Sequence, residues 1–302
     1  MGASLKQVLA FGGVVMDFVQ DGRGGWSVRE GGSAWNVARA LRALGVRTAF
    51  IGALGEDPFA AQLRRQGHAH GLDLQYSQTV RANTALSVIH RTHPPQYVFY
   101  AEHAADSQFS QMPEAAWQDV SAVYFGGITL VRQPARAAFL RYAHEARSRG
   151  LTVVYDPNFR APEAVAYQET FEAYLQLADL VKVSHEDLAG LLPHLSPDEA
   201  LAHLRARRPD ATILLTLGEH GARLITRDAD LHHGGYEVRV ADTVGAGDAS
   251  IAGLLYAVLK TDRSPPDRLA FALACGAAAC TQSGAHAPSL SEIHGILQGA
   301  TP

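Results

Sequence analysis

Asp242-Thr243-Val244-Gly245-Ala246-Gly247-Asp248 runs directly into the apolar stretch Ala249–Leu259. Small residues, then an acid, then an apolar helical pattern predict a helix whose first turn is built on glycine. With no bulky side chains in the way, the backbone N–H groups of Gly245, Ala246 and Gly247 can close around an anion. The helix dipole favours negative charge at the same end. Asp248 stands beside that anion hole, where a carboxylate can accept the proton of a hydroxyl attacking phosphorus. Its place in the first helical turn predicts a carboxylate that stays ionised and is only weakly basic. Weak basicity suffices, because phosphoryl transfer is largely dissociative and the proton can leave late. For a lone stretch of this kind the plainer reading prevails, an N-terminal helix acid after a glycine turn. Other parts of the chain change that balance.

Around this segment, short apolar runs alternate with helical patterns. Val8–Phe11, Thr48–Ala53, Val120–Phe125, Thr152–Asp156, Leu180–Val183, Thr212–Thr216 and Ala222–Thr226 read as strands. Helices are predicted over Ala34–Leu44, Pro58–Gln66, Gln133–Ser148, Thr170–Ala178 and Pro197–Arg207. Ala246–Lys260, Pro266–Cys280 and Ser289–Leu297 complete the set. Such alternation implies an α/β fold with a central, mostly parallel sheet flanked by helices. The 28 glycines cluster after apolar runs, which places loops at the carboxyl ends of parallel strands, where α/β enzymes bind ligands. Two regions break the rhythm. Thr84–His90 and Gln96–Glu102, joined by Arg91-Thr92-His93-Pro94-Pro95, read as an antiparallel hairpin, and Val14–Val28 is strand-like and broken by glycine. Together they predict a small β lid over about 13–30 and 80–105, inserted in a single domain spanning 1–302.

Composition narrows the function classes. The chain has 302 residues, 26 Lys+Arg against 30 Asp+Glu, and a net charge of −4, with no basic cluster, so nucleic acid is not an expected partner. No apolar run approaches the roughly 18–20 residues of a membrane helix, and Met1–Lys6 lacks the layout of a signal peptide. A cytoplasmic protein with no membrane contact is expected. Cys275 and Cys280, five apart on a predicted helix, face different ways and read as buried thiols of a reducing compartment. Among the 14 histidines, His68, His70, His232 and His233 lack the spacing of a zinc site and read as surface residues. The chain contains no G-x-x-x-x-G-K-[ST] phosphate loop, no protein-kinase motif set, and no dinucleotide fingerprint after the first strand.

The segment Asp242–Gly253 resembles the C-terminal signature of the ribokinase-like, or PfkB, sugar kinases. Their N-terminal signature is matched by Gly31-Gly32-Ser33-Ala34-Trp35-Asn36-Val37-Ala38, then Gly45, then Gly55 in Gly52-Ala53-Leu54-Gly55-Glu56-Asp57-Pro58. Two long signatures in the expected order are far more specific than either alone, and the resemblance runs from Val8 to Ile293. It implies a ribokinase-like fold and ATP-dependent phosphorylation of a sugar hydroxyl, with Asp248 as base and Gly245, Ala246 and Gly247 as anion hole. It assigns the sugar to Asp17, Gly31, Gly32 and Asn36. Arg160 would join them from Asp156-Pro157-Asn158-Phe159-Arg160, which is similar to the D-x-N-x-R segment of fructokinases and 2-keto-3-deoxygluconate kinases and suits a sugar acid or a phosphate. ATP is assigned to Thr216, Gly218 and Gly221, and to Ser184 in Lys182-Val183-Ser184-His185-Glu186-Asp187. Glu186 and Asp187 are the implied holders of Mg²⁺, through water. Asp242, with the loop Ser283–Ser289, takes the position of a K⁺ site. Separately, the apolar strand residues of the lid, such as Val98 and Tyr100, predict that two lids pack together as a homodimer.

The motifs are closest to those of fructokinases. Three departures bear on the sugar pocket: Trp35 where relatives carry a small residue, Ala161-Pro162-Glu163 in place of a tryptophan, and Ala101-Glu102-His103 in place of an arginine. A 2-keto-3-deoxygluconate kinase, another sugar or nucleoside kinase, and a catalytically silent sugar-binding regulator therefore stay open. Asp248 with an intact Gly-Ala-Gly argues against the silent regulator.

Overall fold

The computed structural model describes residues 6–20, 24–92 and 95–299. Parts of the expectations for the first residues, for the segment 13–30 and for the link at His93-Pro94 lie outside these. In chain order the first elements are β1 (Gln7–Gly12), β2 (Val15–Gln20), β3 (Trp26–Gly31), α1 (Ser33–Ala43), β4 (Thr48–Ile51) and β5 (Ala53–Leu54). Next come α2 (Pro58–Ala69), β6 (Gln78–Thr79), β7 (Ala85–Thr92), β8 (Pro95–Tyr100), β9 (Val120–Gly126) and α3 (Ala135–Ser148). They are followed by β10 (Thr152–Asp156), α4 (Ala164–Leu177), β11 (Leu180–Ser184), α5 (His185–Leu191), α6 (Pro197–Arg207) and β12 (Thr212–Thr216). The last are β13 (Ala222–Ile225), β14 (Asp230–His233), α7 (Ala246–Lys260), α8 (Pro265–Cys280) and α9 (Leu290–Leu297).

The eight-stranded sheet has the order β14-β13-β12-β11-β10-β9-β1-β4. The strands from β12 to β4 are parallel, and β13 and β14 add an antiparallel edge. Helices cover both faces, so central strands are apolar on both sides and Val8–Phe11 is fully buried. Alternate residues feed two cores. Leu9, Phe11, Val123 and Phe125 pack with Phe139 and Tyr174 on one face, while Val8, Ala10 and Tyr124 pack with Trp35 and Leu254 on the other.

The smaller sheet has the order β3-β2-β7-β8, two antiparallel hairpins joined by a parallel β2–β7 pair. Its register separates two faces. Val28, Phe18, Val88 and Val98 form a row across one face, and Arg29, Asp17, Ser87 and Phe99 form a row across the other. Pro95 opens the edge strand β8, a position that donates nothing to the ladder.

Boundaries follow local signals where these are strong. α6, α7, β10 and β12 have the predicted limits. Elsewhere the structure departs from expectation. α4 begins at Ala164 rather than Thr170, and the strand predicted over 48–53 breaks at Gly52. That break sits where a side chain would meet the Gly12 carbonyl oxygen at 2.4 Å. β6 and β14 were not expected, because two residues, or the polar Asp-Leu-His-His run, carry no apolar alternation.

Candidate active site

Parallel strands bring their carboxyl ends to one edge. Gly12, Gly126 and Asp156 are in register there, as are Ser184 and Thr216. α7 and α1 deliver the rest. Gly245 caps α7 with left-handed backbone (φ 81°, ψ −1°), and a Cβ on it would lie 2.8 Å from Ala285 Cα, so only glycine fits the turn. The next residues start the helix. The Ala246 N–H turns back to Thr243 O at 3.3 Å, while first-turn N–H groups as a class have no intrahelical acceptor and are open to an anion.

Asp248 is buried beside this turn. Ser33 Oγ donates to its Oδ1 at 2.7 Å, and Asn36 Nδ2 donates to its Oδ2 at 2.9 Å. Both donors come from the first turns of α1, which Gly32 introduces at φ 103°. Burial raises the Asp248 pKa above the ordinary carboxylate value, against the pull of Asn36, Ser33, Lys182 and Arg160. This corrects the expectation of a weakly basic acid: desolvation outweighs these hydrogen bonds and charges, and the carboxylate becomes a better proton acceptor.

Asn36 Oδ1 is buried and has no partner among the described residues, so an acceptor is left over for a ligand hydroxyl. Asp17 lies in the inner row of the small sheet, and burial pushes its pKa up to about 6, restrained by Ser87 and Arg160. A Cβ on Gly31 would stand 2.0 Å from Asp17 Oδ2, which makes room for that carboxylate the reason for glycine there. Arg160 follows Asn158, which has positive φ (47°), and donates to the Asn158 and Phe159 carbonyl oxygens at 3.3 and 2.8 Å. Its charge acts on both Asp17 and Asp248. Asp17, Gly31, Gly32, Asn36, Arg160 and Asp248 therefore belong to one site.

Thr216 and Ser184 lie side by side at the ends of β12 and β11, with Gly218 (φ 60°) and Gly221 (φ 83°) in the turn that follows. A Cβ on Gly221 would come within 1.9 Å of the His233 carbonyl oxygen. The two implied magnesium acids part company. Glu186 is exposed and 3.3 Å from His185 Nδ1. Asp187 is buried, accepts from the N–H groups of Phe159 and Ser184 at 2.8 Å each, and forms a capping box with Ser184. Among the described residues no three His, Cys, Asp or Glu side chains converge as a metal cage. Asp242 precedes the Gly245 turn and accepts from Val244 N–H (3.1 Å) and Gly284 N–H (2.8 Å). Arg29 Nη1 lies 4.0 Å from the same carboxylate and donates to Ser283 at 2.8 Å.

Sequence reading passed over three groups. Lys182 is buried 3.4 Å from Asp156 and 3.7 Å from Asp187, and its Nζ stands 3.1 Å from where a Gly247 Cβ would be. Burial opposes its charge, but Asp156, Asp187 and Asp248 prevail and raise its pKa. Burial pushes Asp156 up to about 7 even so. Ser33 and Lys182 lie inside motifs quoted above and were readable as polar residues; Tyr124 lies in an apolar strand and carried no signal. Trp35, expected to alter the pocket, is directed elsewhere. It is fully buried, edge-on to Phe50 at 5.1 Å, with its indole N–H on Glu30.

Residues 5–292 match the family described as pfkB family carbohydrate kinase. The chain belongs to that family. It is thus a phosphotransferase acting on a sugar hydroxyl, with a ribokinase-like fold. The kinase is similar to probable fructokinase-4 of Arabidopsis thaliana, 30% identical over 97% of each chain. Among solved structures, it resembles a double mutant of the fructokinase from Vibrio cholerae O395 in its fructose-, ADP- and potassium-bound form. That match has TM-score 0.88 and 27% identity, and covers 98% of this chain and 100% of the other. It also resembles aminoimidazole riboside kinase from Salmonella enterica, complexed with aminoimidazole riboside and an ATP analogue. There the TM-score is 0.84 at 28% identity, covering 96% of this chain and 99% of the other. No helix among the described residues is long and apolar enough to cross a membrane.

Proposed function

We propose that this kinase transfers the γ-phosphoryl group of ATP to a hydroxyl of a fructose-like sugar, with Asp248 as general base. The observation that supports this most is the Asp248 carboxylate, held by Ser33 and Asn36 beside the glycine turn that opens α7. The sugar hydroxyl oxygen forms the new bond to phosphorus, the bond to the ADP oxygen breaks, and the hydroxyl proton passes to Asp248. N–H groups of the Gly245–Gly247 turn, with the Lys182 ammonium beside Gly247, stabilise charge on the moving phosphoryl group. Asp17 and the free Asn36 Oδ1 accept hydroxyl protons of the sugar, and Gly31 and Gly32 give the close approach. Thr216, Gly218, Gly221 and Ser184 border the nucleotide.

Mg²⁺ bound to the nucleotide would neutralise phosphate charge and keeps most of its own waters. Glu186, the acid with an exposed carboxylate, fits as holder of such a water, whereas Asp187 is committed to the α5 cap. Asp242 and the loop Ser283–Ser289 are assigned a K⁺ that supports the turn at Gly245. The small sheet is the lid of a single domain, and covering the sugar limits hydrolysis of ATP by water. A cytoplasmic location accords with the free thiols of Cys275 and Cys280.

The substrate is tested by coupled ADP release across hexoses, ketoses, sugar acids and nucleosides, with and without K⁺. Fructose is expected to show the highest kcat/KM, with K⁺ raising turnover. Turnover restricted to a keto-deoxy sugar acid would instead assign Arg160 to a carboxylate and overturn the fructose reading.

The outer face of the lid supports a homodimer. Trp26, Val28, Val98 and Tyr100 are all large, apolar and exposed there, Tyr100 by 65%. Light scattering at micromolar protein is expected to give twice the chain mass, and Val98→Glu with Tyr100→Glu to give the monomer. A monomeric wild type overturns the dimer.

A further inference from the structure

Asp248 is held from a direction that substrate binding does not require. Tyr124, in the middle of the site-forming end of β9, is fully buried, and its hydroxyl is 2.6 Å from Ser33 Oγ. Serine has one hydroxyl proton, and here it points to Asp248 Oδ1 at 2.7 Å. Across the 2.6 Å contact Tyr124 is therefore the donor and Ser33 the acceptor. The result is a directed chain, Tyr124 Oη–H to Ser33 Oγ–H to Asp248 Oδ1, in which each bond polarises the next. Asp156 Oδ2 lies 3.5 Å from the phenol oxygen, too far to compete strongly for its proton.

The slot for this hydroxyl is built. A Cβ on Gly126 would stand 2.1 Å from Tyr124 Oη, so the strand carries glycine where the phenol folds over it. Phenylalanine would fill the same apolar space without burying a hydroxyl, so packing alone does not call for tyrosine.

We propose that Tyr124 is a positioning residue which, through Ser33, orients Asp248 and favours its proton-accepting form. The inference rests on Asp248 being the base. The charged and titratable groups that act on Asp248 include Lys182 from β11, Arg160 from the loop after β10, Asp156 from β10 and Asp17 from β2. Ser33 and Asn36 of α1 and the Tyr124 phenol complete its surroundings. Of these, the Tyr124–Ser33 pair alone joins the large sheet to the carboxylate through hydroxyls. A hydrogen bond donated to a carboxylate stabilises its ionised form, so weakening the chain makes Asp248 protonate at higher pH.

The test is the pH profile of kcat for the wild type, Tyr124→Phe, Ser33→Ala and Asp248→Asn, with the best sugar from the substrate screen. The acid limb of Tyr124→Phe is expected to move up by about 0.5–1 pH unit, with a several-fold loss at pH 6 that shrinks as pH rises. Ser33→Ala should shift the same limb further. KM for the sugar should change little in Tyr124→Phe, because the phenol is fully buried and spends its hydroxyl on Ser33. A loss equal at every pH, or a profile that overlays the wild type, overturns the proposal. If Tyr124→Phe does not fold, Ser33→Ala carries the same comparison. Full activity in Asp248→Asn would instead remove the base assignment itself, an outcome independent of the Tyr124 profile.

Discussion

Asp248→Asn lowers kcat by about 10³-fold while sugar and ATP still bind, the loss expected when a general base is removed from a preorganised site. The substitution keeps shape and changes only the ability to take a proton. Its new amide has to be accommodated by two donors, Ser33 Oγ and Asn36 Nδ2. The new amide oxygen can keep accepting from Asn36 Nδ2, and its NH2 can donate to Ser33 Oγ once that hydroxyl turns away, which leaves Asn36 Oδ1 for the sugar. Neither ligand site has to move. Removing a buried carboxylate also removes its desolvation cost, so the variant should melt no lower than the wild type. Calorimetric titration with sugar and with ATP, beside steady-state turnover, separates the two effects. Turnover near the wild-type rate would sink the assignment of the base.

Lys182→Met is expected to be the most destabilising of the polar substitutions at the site. The ammonium lies between two buried carboxylates, Asp156 and Asp187, whose side chains are 0% and 7% exposed. Methionine fills the space but leaves both acids without their cation, a change that costs about 3–5 kcal/mol for a broken buried pair. Protonation limits that cost. Asp156 titrates at about 7 with the lysine present, and losing the lysine moves it higher. A raised acid pKa means that the folded state binds a proton the unfolded state does not, so stability falls as pH rises through the folded pKa. The deficit of Lys182→Met should accordingly be larger at pH 8.5 than at pH 6, measured by denaturant unfolding. Adding Asp156→Asn should recover part of it at pH 8.5 and little at pH 6. An equal deficit at both pH values would show that the ion pair is not its source. Turnover should fall as well, because the lost charge lies beside Gly247.

What could be read from residues and what could not divide along a physical line. α7 has its predicted limits because the glycine turn, the acid and a long apolar run all mark the same start. α6 does too, because Ser196 and Glu199 form a capping box with Pro197 at the first position. α4 begins six residues early, since its first turn has no side-chain cap to announce it. Among site residues, Asn36, Gly31, Gly32 and Asp248 were legible as parts of motifs. Asp187 was read as a candidate metal holder, and only the folded chain shows its carboxylate turned inward onto Phe159 N–H.

The family, the α/β alternation and the glycine turns are local properties of the chain, and the sequence by itself determined them through apolar periodicity and backbone freedom. The burial of the Asp248 carboxylate and its raised pKa, the Tyr124–Ser33 hydroxyl chain behind it, and Lys182 between two acids were decided by tertiary structure alone. Ser33 and Asp248 stand 215 residues apart in sequence and 2.7 Å apart in space, and desolvation depends on everything that packs around a charge.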